Sequence, residues 1–204
     1  MVWWRPAIAV VAGYLLGGIP FSYLAGRAAR GVDLRTLGSG NLGATNALRE
    51  LGWRWGVGVL VLDIVKGWAA VALAAWLAPG SWGPLAAGLA AVLGHSFTPY
   101  LGLRGGKGVA TSAGVFLGLA PAATLLALAG FVVVLLAGRI VSLASLAAAL
   151  ILPLAVLWRQ PEERGLLAFA TGAAVLIWIR HRGNIARLAR GEEPRFRLGG
   201  DRHG

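Results

Sequence analysis

Six blocks of this chain run for twelve residues or more with almost no charge, and that feature bounds the fold. Ala7 to Ala25, Gly56 to Ala78, Trp82 to Leu93, Val109 to Ala137, Ile140 to Trp158 and Leu166 to Ile179 contain only two charged residues, Asp63 and Lys66. A helix needs about 20 largely apolar residues to cross a bilayer. The first two blocks meet that length, and the one from Trp82 reaches it only by running on to Leu103. A soluble domain of 204 residues needs roughly twice the 13% of charged residues found here to cover its surface. The expectation is an all-α, polytopic integral membrane protein.

The Val109–Ala137 block is too long for one untilted span. Pro121, after Gly118, divides it into two short helices, which makes seven segments in place of six. The distribution of positive charge favours seven. Arg27, Arg30, Arg35, Arg49, Arg54, Arg104, Lys107, Arg139 and the arginines from Arg180 to Arg202 then share one side, 15 of the 19 basic residues. Basic loops stay cytoplasmic. The amino end is therefore expected outside and the carboxyl end in the cytoplasm. The same topology accounts for the net charge of +11, because the arginines border spans and meet anionic headgroups. No nucleic-acid partner is expected. Residues 1–25 resemble a signal peptide only superficially, having one Arg and no small-residue cleavage site before a soluble domain. The absence of cysteine excludes disulfides, thioesters and cysteine-ligated metal. One membrane domain, 1–193, is expected, with a polar tail at 194–204.

Three polar islands exceed what insertion requires, and all fall on the expected cytoplasmic side. The first is Leu37-Gly38-Ser39-Gly40-Asn41-Leu42-Gly43-Ala44-Thr45-Asn46, followed by Arg49. Small residues leading into a helix present bare N–H groups to an anion, and Arg49 adds a planar fork for phosphate. A flexible capped loop is the plainer alternative. The fit of this segment to G-x-G-x-x-G is accidental, since the dinucleotide fingerprint requires a preceding strand. The second island is Gly94-His95-Ser96-Phe97-Thr98-Pro99, then Arg104-Gly105-Gly106-Lys107-Gly108 and Thr111-Ser112. Glycines around a lysine again suit phosphate, or simply a basic turn. The segment is not a P-loop, because Gly102 to Lys107 is one residue short and Gly108 replaces Ser or Thr.

The third island, Arg180-His181-Arg182-Gly183-Asn184-Ile185-Ala186-Arg187-Leu188, sets His181 and Asn184 at i and i+3. Arginines explain a membrane anchor, but His and Asn add nothing to one. Ser142 and Ser145 open the sixth segment, where Ser142 could cap the helix or donate to a ligand. Asp63 and Lys66, at i and i+3, are expected to pair with each other or turn toward a polar cavity. No His/Asp/Glu cluster has ligand spacing, so neither a metal nor a cofactor is expected. A small transporter or channel for a phosphorylated solute, or a purely structural membrane protein, are the competing classes. The first would use the intramembrane charges; the second leaves three islands unexplained.

Together the segments Gly38–Asn46, Gly105–Thr111 and His181-Arg182-x-Asn184-Ile185 resemble the bacterial acyl-phosphate:glycerol-3-phosphate acyltransferases, the PlsY family. Asp63-x-x-Lys66-Gly67, Gly94-His95 and Val141–Ser145 fit in register, and the resemblance spans roughly residues 6 to 193. It departs at Arg104, where lysine is usual, at Thr98-Pro99, where proline follows the aromatic directly, and at Gly183.

The resemblance implies seven helices in the bacterial inner membrane, with a site facing the cytoplasm. The implied reaction moves an acyl group from acyl-phosphate to the 1-hydroxyl of glycerol 3-phosphate, starting phospholipid synthesis in membrane lipid without a protein partner. It further implies that Ser39, Gly40, Asn41, Gly43, Ala44, Thr45, Asn46, Arg49, Gly105 and Gly106 bind substrate. Lys107, Ser142, His181 and Asn184 would both bind and act in catalysis. The residues themselves agree with such chemistry. The acyl-CoA-type pattern H-x-x-x-x-D is missing, since Tyr100 follows His95 by five and Ala186 follows His181 by five. Asp33 lies before the first loop and Asp63 has a partner within reach, leaving no obvious carboxylate base.

Overall fold

The computed structural model describes residues 4–80 and 82–196, which are helical with no strand among them. Most of the tail expected from residue 194, and Ser81, lie outside the described residues. The ten α-helices are α1 (Trp4–Gly18), α2 (Phe21–Arg30), α3 (Ala44–Leu51), α4 (Trp53–Leu77), α5 (Gly83–Ser96), α6 (Val109–Leu119), α7 (Pro121–Gly138), α8 (Val141–Arg159), α9 (Arg164–Arg180) and α10 (Arg182–Ala189). A 3₁₀ turn, Pro99–Leu101, follows α5.

Among the described residues, four stretches are long and apolar enough to cross a membrane: Trp4–Arg30, α4, α7 and α8. The others are shorter. α5 has 14 residues, α6 has 11 and α9 has 17. The fourth apolar block is divided as expected, α6 ending at Leu119 and α7 opening on Pro121, with Ala120 extended between them. The first block, expected as one segment, is broken at Ile19-Pro20. Proline has no N–H to continue the ladder, so the chain turns there and α2 leaves with Arg27 and Arg30 in its last turn.

Small residues let the helices approach closely. A Cβ on Gly17 would collide with the Ala91 backbone, and one on Gly114 with the carbonyl of Ile64, which locks α1 on α5 and α6 on α4. Val71, Val92, Val115, Phe116, Val156 and Phe169 fill the core between α4, α5, α6, α8 and α9, with the two phenylalanine rings 4.8 Å apart. Large apolar side chains such as Trp68, Trp76, Val133, Leu136, Leu154 and Trp158 point outward. In water that would be a liability; against lipid it is the stable arrangement.

Asp63 and Lys66 do pair, at 2.6 Å and nearly fully buried. The ends of α5, α7 and α9 and the starts of α6 and α8 come together at one end of the bundle, and α10 packs there too.

Candidate active site

The three islands meet at that end. In the first, Asn46 is buried and turned inward. Its Oδ1 accepts from the N–H and the hydroxyl of Ser39 at 3.0 and 3.2 Å, and its Nδ2 donates to the carbonyls of Leu34 and Leu37. Asn46 therefore ties the loop into shape from within, while Ser39 itself stays exposed. Gly38 and Gly40 have positive φ, +56° and +66°, and a Cβ on Gly38 would run into Glu50 and Asn46. Gly43 is extended before Ala44 and Thr45 open α3. Asn41 is half-buried, its N–H near the Ser39 hydroxyl at 3.4 Å. Arg49, on the last turn of α3, is exposed and close enough to Lys107 to repel its charge.

The second island is fixed to the other two. The Leu42 carbonyl abuts Gly106, where a Cβ would strike it. Arg180, at the end of α9, donates to the carbonyls of Gly105 and Gly106 at 2.9 and 3.0 Å. Lys107 donates to Asn184 Oδ1, so the ammonium is held across from α10. Burial lowers the pKa of Lys107 to about 8, the cations Arg187, Arg49 and Arg180 push it the same way, and Glu193 opposes them.

His181 caps the junction of α9 and α10 and is buried. Its Nδ1 lies 2.8 Å from the Ile177 carbonyl. A carbonyl only accepts, so Nδ1 carries the proton and Nε2 is left as an acceptor. Burial, then the charge of Lys107, lowers the pKa of His181 to about 4, which makes it neutral near pH 7. Ser142 is not a cap; α8 is preceded by Ile140, and the Ser142 hydroxyl donates to Glu193 at 2.8 Å.

Glu193 is the residue that reading the sequence missed. Its carboxylate accepts from Ser142, from Asn184 Nδ2 at 2.5 Å and from Arg187 Nε at 2.7 Å. Burial raises the pKa of its carboxyl, but those three donors outweigh burial and hold it below the ordinary value. The available signal was an acidic pair, Glu192-Glu193, within an arginine-rich stretch. Glu193 orients Asn184 with its oxygen toward Lys107, joining the second and third islands to the start of α8.

The family model described as glycerol-3-phosphate acyltransferase matches residues 7–191. The chain belongs to the glycerol-3-phosphate acyltransferase family. Its relatives include the glycerol-3-phosphate acyltransferase of Myxococcus xanthus (strain DK1622), 49% identical over 192 residues, which cover 92% of this chain and 97% of the relative. That of Prochlorococcus marinus (strain NATL2A) is 44% identical over 187 residues, covering 90% and 94%. The crystal structure of PlsY, an integral membrane glycerol 3-phosphate acyltransferase, in its glycerol 3-phosphate form superposes with a TM-score of 0.88 at 40% identity, over 94% of this chain and 96% of that one. The lysophosphatidic acid form of the same protein gives a TM-score of 0.85.

Proposed function

We propose that this membrane acyltransferase moves a fatty acyl group from acyl-phosphate to the 1-hydroxyl of glycerol 3-phosphate. The products are 1-acyl-glycerol 3-phosphate and phosphate, in the first step of phospholipid synthesis. One observation carries the reading. A lysine with one hydrogen-bond partner among the described residues, Asn184, stands among Arg49, Arg180 and Arg187 where an apolar bundle ends. Two of its three donors remain for a phosphate, and the lipid-facing helices beside it suit a substrate with an acyl chain.

In the reaction the substrate hydroxyl oxygen attacks the acyl carbonyl carbon, and the bond from that carbon to the phosphate oxygen breaks. Phosphate leaves with the electron pair and takes the hydroxyl proton. His181 Nε2, an acceptor of low basicity, orients the hydroxyl without keeping its proton. Lys107 and Arg49 hold substrate phosphate. Asn184, which keeps one amide proton beyond the one given to Glu193, steadies the reacting centre, Ser142 supports it through Glu193, and the glycines and Thr45 of the first loop admit the anion. Acyl-phosphate is a reactive mixed anhydride, so orientation alone contributes roughly 7–11 kcal/mol. No metal or cofactor enters the scheme. The transporter reading loses its support, because the intramembrane charges that suggested it satisfy each other.

The test is direct. Purified protein in lipid, given acyl-phosphate and glycerol 3-phosphate, should form lysophosphatidate. Comparable turnover with palmitoyl-CoA, contaminating enzymes excluded, would refute the donor assignment. We further propose seven membrane-crossing helices in the bacterial inner membrane, with the amino end outside and the site facing the cytoplasm. A cysteine at Pro161 should then react with an impermeant reagent in intact cells while one at Arg190 stays protected; the opposite labelling would invert the topology.

A further inference from the structure

Beneath the Lys107 turn lies a second polar cluster that the reaction does not use. An ammonium has three protons, and Lys66 has three partners. These are Asp63 Oδ1 at 2.6 Å, the Ile19 carbonyl at the break before Pro20 at 2.9 Å, and His95 Nδ1 at 3.0 Å. Asp63, Lys66 and His95 are all buried. An ammonium only donates, so Nδ1 of His95 accepts and the ring proton sits on Nε2. That nitrogen faces Gly106, where a Cβ would collide with it.

The backbone of α5 completes the support. Gly106 N–H donates to the His95 carbonyl at 3.0 Å, and Gly105 N–H to that of Ser96 at 3.2 Å. From the other side Arg180 holds both glycine carbonyls. All four polar groups of the dipeptide before Lys107 are therefore bonded. A space of about 10 Å³ lies within the cluster, bounded by Ser22, Leu42, Asp63, Lys66, His95 and Gly106 among others, roughly the room of a single water. No substrate group fits there.

A buried ion pair is often no more stabilising than apolar residues of its size, so the stability of the bundle gives no reason for these charges. Their consequence is geometric. We propose that Asp63, Lys66 and His95 are positioning residues, which fix the His95 ring under Gly106 and through it set where Lys107 stands opposite Asn184. The cluster extends the site into the apolar bundle without touching substrate.

This inference rests on Lys107 gripping substrate phosphate, and the experiment separates the two. Rates at varied glycerol 3-phosphate are measured for Lys107→Ala, His95→Asn and the double variant, each shown to unfold cooperatively in detergent. Asparagine keeps an oxygen for Lys66 but removes the far half of the ring. His95→Asn should raise KM about tenfold with kcat nearly unchanged, and should add less than about twofold to Lys107→Ala. A wild-type KM in folded His95→Asn, or effects that multiply independently, would overturn the positioning role. Wild-type kinetics in Lys107→Ala would instead sink the phosphate reading beneath it, and the inference with it. Should His95→Asn not fold, Asp63→Leu/Lys66→Met removes both charges together and is judged in the same way. A tenfold rise in KM supports the inference, and an unchanged KM overturns it.

Discussion

Two clusters in this protein contain the same three kinds of group, an ammonium, an imidazole and a carboxylate. Lys66, His95 and Asp63 lie within α4 and α5; Lys107, His181 and Glu193 lie where helices end. In the first, the ammonium is saturated by a carboxylate, a carbonyl and a ring nitrogen. In the second, the carboxylate is occupied by Ser142, Asn184 and Arg187, and among the described residues the ammonium has one hydrogen-bond partner, the oxygen of Asn184. The histidines are opposite tautomers, with the proton on Nε2 in His95 and on Nδ1 in His181. Residue type does not distinguish a support from a site. Between these two clusters unspent hydrogen-bonding capacity on the ammonium does, and it lies on Lys107, where the chain has left the helices.

The largest effect should come from Asn184, which bridges Lys107 and Glu193. Asn184→Ala should lower kcat by roughly 10²–10³, the scale of one oxyanion donor. A folded Asn184→Ala protein turning over at the wild-type rate would reduce the third island to an anchor and remove the contrast between the clusters. Next comes the free ammonium. Lys107→Ala should raise KM for glycerol 3-phosphate by roughly 10- to 100-fold, the worth of a charged hydrogen bond, and Lys107→Arg should restore little of it, because a planar fork does not replace a point charge beside close-packed glycines.

The charge of Lys107 gives a smaller, pH-dependent effect. Its pKa, lowered to about 8, means the ammonium is present below that pH and lost above it. The ratio kcat/KM for glycerol 3-phosphate should therefore fall as pH rises through about 8, a limb that reports the free enzyme. Glu193 raises the Lys107 pKa, so Glu193→Gln should move the limb to lower pH, by less than about 1 unit. An unmoved limb would mean that the carboxylate and the ammonium act separately. The smallest effect should be that of a chelator: no group of three His, Cys, Asp or Glu able to hold a metal occurs among the described residues, and activity should be unchanged.

The helical class, the division at Pro121 and the Asp63–Lys66 pair were legible in the sequence because each follows from local rules. Apolar length requires a span, proline ends a helix, and two opposite charges at i and i+3 in an apolar segment must meet each other or a polar cavity. The break at Pro20 was harder to read. Its neighbours are apolar, and the Ile19 carbonyl, which accepts from the Phe21 N–H, is also held by Lys66, 47 positions further on. Candidate residues were also legible, as polar side chains that insertion does not need, and the resemblance gave them expected roles.

What the sequence could not assign was direction. Asn46 and Asn184 both looked like donors to substrate, yet one spends its amide within its own loop and the other reaches Lys107 and Glu193. Glu193 was not singled out, standing at the last position of the expected domain in an arginine-rich stretch, until α8 and α10 converged on it. A spacing rule extends over a few residues, whereas the partner of a polar group is whichever buried acceptor the packing brings near. The sequence determined that these polar groups exist at one end of an apolar bundle. Only the tertiary structure decided which were consumed by one another and which remained for a substrate, because that depends on distances between residues as many as 77 positions apart, as Lys107 and Asn184 are.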